Sequence, residues 1–257
     1  MWRRQVGLHA ARLHTCAPRT NGNLFQTLLH GEGGAEALSH KPGTDNYVYE
    51  LQRVAVKPEH VAPYTQAMES MAHQVAVKYG SAAEHMGSWE VVVGDMGHFY
   101  HVWRYAGYEG FDKVSREFRS DPLLIEHHEH IAPMLQHRRN WLTQAFTFWQ
   151  NTDWDLGDGV YELRTYQLQP GHLLEWERIW RQGLEARRPF TEPLGAWFSR
   201  LGELHQVFHL WKFDSMEDRA RIRAAAWQVE AWSNTVNQTT RLVQHQRAEI
   251  LRLCSSR

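Results

Sequence analysis

The sequence is poor in cysteine, since only Cys16 and Cys254 occur among 257 residues. Two cysteines at opposite ends of the chain exclude a disulfide-rich scaffold and a structural zinc site built on cysteines. No run of eighteen apolar residues occurs, which excludes a transmembrane helix. The formal net charge is only -1, so the basic excess typical of nucleic-acid-binding proteins is also missing. We therefore expect no transmembrane segment and no nucleic-acid partner.

Short catalytic signatures are missing as well. The chain has no glycine-rich phosphate loop, no Gly-x-Ser-x-Gly and no Cys-x-x-Cys. We accordingly predict a protein that is not an enzyme and that holds no cofactor. What the chain does contain is enough apolar sequence for a real core, with 42% hydrophobic residues, together with twelve tryptophans and seventeen histidines.

The first residues differ in charge from the rest of the chain. Residues 1–31 contain four arginines and no acid, and the first acidic residue is Glu32. Trp2, Val6 and Leu13 fall near one face of a helix. A basic, acid-free, amphipathic start is typical of a mitochondrial transit peptide, although a disordered basic tail is the alternative. We assign residues 1–46 to a transit peptide and a flexible link, and expect residence in the mitochondrion, in the matrix.

An internal repeat organises the remaining chain. Three pairs of segments carry it: YVYELQRVAVKP (47–58) with GVYELRTYQLQP (159–170), MGSWEVVVGDMGHFYHVWRY (86–105) with LGAWFSRLGELHQVFHLWKF (194–213), and MLQHRR (134–139) with LVQHQR (242–247). The offset is 112 residues in the first pair and 108 in the other two. A repeat of about 110 residues is the size of a domain rather than of a solenoid unit.

Each copy shows the same order of predicted elements. A strand rich in β-branched and aromatic residues precedes Pro58 or Pro170, where a helix begins. Two strands joined by a glycine-containing turn follow, then a second helical region (110–137 and 215–244) and a last strand (141–149 and 248–253). This order is β-α-β-β-α-β twice, which predicts an α+β protein with two tandem ferredoxin-like domains. We place the domains at 47–150 and 160–257, joined by an acidic linker at 151–159.

The repeated segments resemble the NipSnap family. VYELRTYQLQPG (160–171), followed by the GAWFSRLGELHQVFHLWKF block, is similar to the family in the second copy, and FYHVWRY is similar to it in the first. The first copy departs from the second, with Arg53 for Thr165 and Glu59 for Gly171. The resemblance implies the dimeric α/β-barrel superfamily, with both sheets supplied by one chain. It further implies mitochondrial residence and roles in mitochondrial quality control (mitophagy) and vesicular transport.

A polar set alternates along the predicted strands and forms the candidate pocket. Its members are Glu50, His101 and Trp103 in the first copy and Glu162, Arg164, His209 and Trp211 in the second. Because Phe208 and Leu210 make the opposite strand face more apolar, we expect that face to pack on helices and the polar face to look into the inter-sheet space. One interpretation is a structural ion pair with hydrogen-bonded histidines. The other is a small-ligand pocket in which a histidine beside a carboxylate moves a proton.

The densest histidine cluster lies in IEHHEHIAP (125–133). His127 and His130 are three residues apart on a predicted helix and are weak candidates for metal ligands. The spacing is not His-Glu-x-x-His, and the second copy has no matching cluster. We therefore expect a solvated helix face and no metal.

Taken together, these patterns favour a non-enzymatic mitochondrial protein that acts through protein partners, mitochondrial or autophagy-related, with self-association into a homo-oligomer left open. The alternative is a barrel that binds haem or another small ligand, or an enzyme like the cofactor-poor monooxygenases that share this barrel.

Overall fold

The computed structural model describes residues 47–149 and 154–255. The predicted transit peptide and link at 1–46 lie outside the described residues, as does the first part of the predicted linker. No helix within the described ranges is both long and apolar enough to cross a membrane.

The two copies contain the predicted elements in the predicted order. The first copy consists of β1 (Val48–Val56), α1 (Val61–Tyr79), β2 (Ala83–Val93), β3 (His98–Tyr105), α2 (Gly107–Phe118), α3 (Pro122–Ile131) and β4 (Leu135–Ala145). The second consists of β5 (Val160–Leu168), α4 (Leu173–Arg187), β6 (Pro193–Leu201), β7 (Gln206–Phe213), α5 (Met216–Trp227), α6 (Glu230–Thr240) and β8 (Val243–Ser255). The second helical region is two helices in each copy. In the first copy the break precedes Pro122, whose ring suits the first turn of α3.

All eight strands form one closed antiparallel barrel in the order β1-β3-β2-β8-β5-β7-β6-β4. Each copy supplies four neighbouring strands. The copies meet where β2 pairs with β8 and where β4 pairs with β6. Closure leaves neither sheet with a free edge. The predicted fold class, two ferredoxin-like domains packed as a dimeric α/β-barrel, is confirmed.

The last strand of each copy is longer than the sequence predicts. β4 begins at Leu135 rather than Trp141, and β8 begins at Val243 rather than Ala248. Their first halves pair only with the first strand of the same copy, and their ends bridge to the other copy. Residues 136–140 are exposed and polar, so the alternation that reveals a half-buried strand is missing there.

The barrel interior contains an apolar core. One cluster of buried side chains draws members from every strand and from no helix: Tyr49, Leu51, Met86, Trp89, Val91, Tyr100, Val102, Trp141, Ala145, Tyr161, Leu163, Trp197, Phe208, Leu210 and Leu251. Side chains therefore fill this part of the interior, as in other small barrels. Glu249, which is 1% exposed, lies beside them and accepts a hydrogen bond from the Tyr100 hydroxyl.

The repeated Gly-x-Trp motif has a packing explanation. A Cβ on Gly87 would lie 2.5 Å from the ring of Trp89, and one on Gly195 would lie 2.1 Å from the ring of Trp197. Each tryptophan therefore folds back over the glycine two residues earlier on the same strand face. Trp154, from the predicted linker, contacts both rings, with centroid distances of 6.1 and 5.6 Å. The end of that linker is thus part of the core.

The predicted orientation of the polar strand face is wrong. Phe208 and Leu210 point into the barrel, whereas Trp211 packs in the apolar layer of α4 and Trp103 packs beside α1. The polar face therefore lies outside the barrel and beneath the helices. Both faces carry aromatic residues, so hydrophobicity alone could not choose between them. One charged member, Glu162, finds a partner on a helix that is 57 residues away in the sequence, Arg219.

Candidate functional site

Two cavities lie between the outer sheet face and the helices, one in each copy. The first cavity, beneath α1–α3, has a volume of about 430 Å³, and the second cavity, beneath α4–α6, about 360 Å³. Both volumes fall in the range of small-molecule sites. The offsets of 112 and 108 residues map most lining positions of one cavity onto the other. Tyr64 corresponds to Trp176, for example, and Ser115 to Arg223. The two cavities therefore occupy equivalent positions in the two copies.

The candidate pocket residues divide between these two cavities. Glu50 and Trp103 line the first cavity, and Glu162, Arg164 and Trp211 line the second. The remaining two, His101 and His209, are fully buried in β3 and β7 on the same outward sheet face. The structure does not bring the seven residues into one pocket between the sheets.

Glu50 is the buried carboxylate of the first cavity. Tyr105 donates its hydroxyl hydrogen to Oε2 of Glu50 at 2.8 Å, and Nδ2 of Asn140 donates to Oε1 at 2.6 Å. No cationic side chain of the described ranges forms an ion pair with it. Two neutral donors therefore satisfy a carboxylate that is only 6% exposed, as burial of such a group demands.

A buried hydrogen-bond chain leads from the first cavity into the sheet. Tyr64 lies on the cavity wall, and its hydroxyl oxygen is 2.8 Å from Nε2 of His101. Nδ1 of His101 is 2.6 Å from the Ser88 hydroxyl oxygen. The chain ends at Nε2 of His85, 2.7 Å from the same hydroxyl. Burial lowers the pKa of His101 to about 3 and that of His85 to about 4. With both imidazoles neutral, the Tyr64 hydroxyl can donate to Nε2 of His101, Nδ1–H of His101 to the Ser88 hydroxyl, and that hydroxyl to Nε2 of His85.

The second cavity has a different polar centre, built on Glu162. Arg219 of α5 donates to both carboxylate oxygens of Glu162, from Nε at 3.1 Å and Nη2 at 2.8 Å, and Arg164 donates from Nε at 3.0 Å. Burial alone would raise the pKa of Glu162, but the two arginines hold it below its usual value. The ion pair thus joins the sheet to a helix, rather than sheet to sheet.

His209 occupies the place of His101 but belongs to no hydrogen-bond chain. The second copy has Trp176, Ala196 and Pro193 where the first has Tyr64, Ser88 and His85. Among the described residues neither ring nitrogen of His209 has a hydrogen-bond partner. Its ring stacks on Trp180 with a centroid distance of 4.2 Å. Burial, reinforced by the charge of Arg164, lowers its pKa well below the usual value, so the ring is neutral.

Sequence reasoning missed three arginines of the second copy. Arg187 at the end of α4, and Arg219 and Arg223 on α5, converge on the same space as Glu162. The spacing of four residues between Arg219 and Arg223 places both on one helix face. The corresponding residues of the first copy are not basic, and this difference between the repeats was the signal available in the sequence.

The two candidate metal ligands of α3 differ in exposure. His127 lines the first cavity, and burial lowers its pKa to about 4, whereas His130 is exposed. No group of three or more potential metal-ligating side chains occurs in the described part of the chain.

A further buried acid, Glu177 of α4, lies outside both cavity linings and predicts a pH dependence of stability. Burial raises its pKa to about 7, opposed by Arg181. The folded state therefore binds a proton more tightly than the unfolded chain. The free energy of unfolding should fall as the pH rises from about 4.5 to 7, and the loss should persist above that range. We expect Glu177→Gln to be more stable than the wild type by about 1–3 kcal/mol at pH 8.

Urea unfolding at pH 5 and pH 8 measures this effect. The gain from Glu177→Gln should be much smaller at pH 5, where the native glutamate is already protonated. Glu175→Gln, an exposed change on the same helix, is the control and should alter stability by less than about 0.5 kcal/mol. An equal gain at both pH values would contradict the assignment.

Comparison with known proteins gives a consistent result. The NIPSNAP family profile matches residues 49–150 and 161–257. Protein NipSnap homolog 2 of Danio rerio is 33% identical over 208 residues, which cover 80% of this chain and 73% of that protein. The Homo sapiens homolog 2 is 32% identical over 215 residues, covering 83% of this chain and 75% of that protein.

A solved structure extends the likeness of fold only. A putative monooxygenase from Lactobacillus acidophilus superposes with a TM-score of 0.59 at 8% identity, covering 82% of this chain and 95% of that one. Such low identity shows a shared barrel and no shared chemistry. The family match over both copies and the relatives above 30% identity, by contrast, show that this chain belongs to the NipSnap family.

Proposed function

We propose that this NipSnap protein is a non-enzymatic mitochondrial protein that acts by binding protein partners, in mitochondrial quality control (mitophagy) or in vesicular transport. The acid-free, arginine-bearing leader supports mitochondrial residence, and family membership supports the cellular roles. A single structural observation supports a partner surface: exposed apolar side chains at the tips of two equivalent hairpins.

The two hairpins lie at one end of the barrel. In a closed barrel of antiparallel strands, alternate strands run in the same direction, so β2 and β6 end on the same rim. Val93 and Met96 flank the β2–β3 turn, and Leu201 and Leu204 flank the β6–β7 turn. Met96 is 76% exposed and Leu201 54% exposed.

Exposed apolar residues at matching places in both copies favour an interaction site. Single exposed apolar residues are ordinary, but a repeated arrangement on one rim concentrates apolar surface where a partner can cover it. A protein that spans the rim would contact both hairpins together. The closely packed side chains inside the barrel make it a rigid support for this surface.

Site-specific photocrosslinking in mitochondria tests the proposal. A benzophenone amino acid at Met96 or at Leu204 should crosslink to the same protein, because both positions lie on one rim. The control is Val77, which is as exposed as Met96 but lies on α1. Crosslinks of equal yield and identity at all three positions, or none at either hairpin, would refute the partner surface.

A second candidate function is binding of a small ligand in the first cavity, with or without catalysis. The chain from Tyr64 to His85 favours it, because a hydrogen-bond relay that opens on a cavity is suited to orient a ligand or move a proton. Native mass spectrometry of the purified full chain separates the candidates. A stoichiometric small molecule that is lost in Tyr64→Phe supports the ligand site, and its absence supports the partner role alone.

A further inference from the structure

The second cavity has more cationic groups than its own carboxylate can balance. Arg164, Arg187, Arg223 and Arg247 line it, and Arg219 reaches its single lining acid, Glu162. Arg247 pairs with Asp95 outside the cavity. Glu162 is already engaged by Arg164 and Arg219. Within residues 47–149 and 154–255, Arg187 and Arg223 form no ion pair. Two guanidinium groups of the cavity therefore have no acid of their own.

The environment of Arg187 makes this imbalance costly. The residue is only 3% exposed, and the one hydrogen bond of its side chain to a described residue is a long contact of 3.5 Å from Nη1 to the carbonyl of Ile222. Burial, together with the charges of Arg223 and Arg164, lowers the pKa of Arg187 to about 10. Burying a cation whose N–H groups lack acceptors costs free energy unless a counter-charge is close. An anion bound from solution would reduce this cost.

Much of the remaining wall of the cavity is aromatic. Five tryptophans line it: Trp176, Trp180, Trp211, Trp227 and Trp232. The guanidinium of Arg187 lies over two of these rings, 5.3 Å from the centroid of Trp211 and 5.6 Å from that of Trp232. Flat indole surfaces beside guanidinium N–H groups that can still donate hydrogen bonds suit a ligand with an apolar body and an anionic end.

The first cavity shows that the fold does not require these arginines. At the positions of Arg164, Arg187, Arg219 and Arg223 the first copy carries Gln52, Val75, Phe111 and Ser115. Its buried acid, Glu50, is satisfied by neutral donors instead. Both copies form the same helices over the same sheet, so the four cations belong to the second cavity and not to the architecture.

We propose that the second cavity binds a small organic carboxylate, whose anionic end is held by Arg187 and Arg223 and whose apolar body lies against the tryptophans. A guanidinium donates two parallel hydrogen bonds to a carboxylate, and two such groups fix its orientation. A volume of about 360 Å³ accepts a body of one or two rings. The inference goes beyond the partner-binding role and does not depend on it.

Isothermal titration of the full chain with naphthalene-2-carboxylate tests the site. The neutral comparison compound is naphthalene-2-carboxamide, which has the same body without the charge, and inorganic phosphate tests for a bare anion site. We expect the carboxylate to bind one per chain, at least tenfold more tightly than either comparison compound. Arg223→Gln should weaken carboxylate binding at least tenfold and leave the weak binding of the amide unchanged.

Arg221→Gln is the matched control, because Arg221 lies on the same helix, is exposed and pairs with Asp218. It should bind the carboxylate like the wild type. Arg187→Met is a second variant in case Arg223→Gln folds poorly, and it should abolish the rise in melting temperature that the carboxylate causes. Equal affinity for carboxylate and amide, tighter binding of phosphate, an equal loss in Arg221→Gln, or no saturable binding would each overturn the proposal.

Discussion

Expressed alone, the second copy (residues 154–257) should not fold as a monomer. Six of the side chains that fill the barrel interior come from this copy, and without the first copy they would face water. Burial of a large apolar side chain contributes about 1.5–3 kcal/mol, so the loss is on the order of 10–20 kcal/mol. That loss is comparable with or larger than the whole stability of a typical domain, about 5–15 kcal/mol. The edges of β6 and β8 would be open as well.

Light scattering after size exclusion, together with circular dichroism, measures the outcome. Each copy alone should aggregate or form a self-dimer in which a second identical sheet replaces the missing one. Co-expression of 47–150 with 154–257 should restore a one-to-one complex with a cooperative thermal transition. A soluble monomer of either copy that melts cooperatively would refute the shared barrel.

The sequence predicts the elements of each copy well because the signals that specify them are local, whereas the barrel itself is what the family resemblance implies. Alternating apolar residues, a proline near each helix start and a glycine in each hairpin recur in both copies, so each copy supports the assignment of the other. The polar first half of β4 is the exception. Residues 136–140 are held by main-chain hydrogen bonds to β1, which leave no pattern in the side chains.

The alternation of residues along each strand does not show which strand face points into the barrel, so the orientation of the candidate residues could not be predicted from it. Glu162 was predicted to face the other sheet, but its partner Arg219 lies 57 residues away on a helix. Comparison of the two copies contains a usable signal. The inward position after the shared glutamate is leucine in both copies, Leu51 and Leu163, whereas the next outward position changes from Gln52 to Arg164. An inward position must keep its apolar character, and an outward position beneath helices can diverge.

Glu162→Ala should be among the most destabilising single changes in the protein. The carboxylate is 1% exposed and is the shared acceptor of Arg164 and Arg219. Its removal leaves two cations unpaired beside Arg187 and Arg223, and breaking a buried ion pair from one side costs about 3–5 kcal/mol. Arg164→Met should cost less, because Arg219 still holds Glu162 with two hydrogen bonds. Urea unfolding at pH 7 measures both changes.

The repeat supplies a matched control in Glu50→Ala. Glu50 occupies the corresponding position, but its partners are a tyrosine hydroxyl and an asparagine amide. Its loss leaves the buried hydroxyl of Tyr105 without an acceptor, at a cost of about 1–3 kcal/mol, whereas the exposed amide of Asn140 can turn to water. Replacement of Glu162, Arg164 and Arg219 together by leucine or methionine should recover much of the loss in Glu162→Ala, since no partner of the acid then remains charged.

The pH dependence distinguishes a structural ion pair from a general base. The pKa of Glu162 is held below its usual value, so its contribution to stability is complete above about pH 4.5 and is lost as the pH falls through the folded-state pKa. The difference between the wild type and Glu162→Gln should therefore be largest near neutral pH and shrink in acid. A base in an open, hydrated pocket would behave differently, because water would solvate the remaining arginines. Nearly equal unfolding free energies for the wild type, Glu162→Ala and Arg164→Met would refute the structural pair and shift the assignment to a ligand-binding carboxylate.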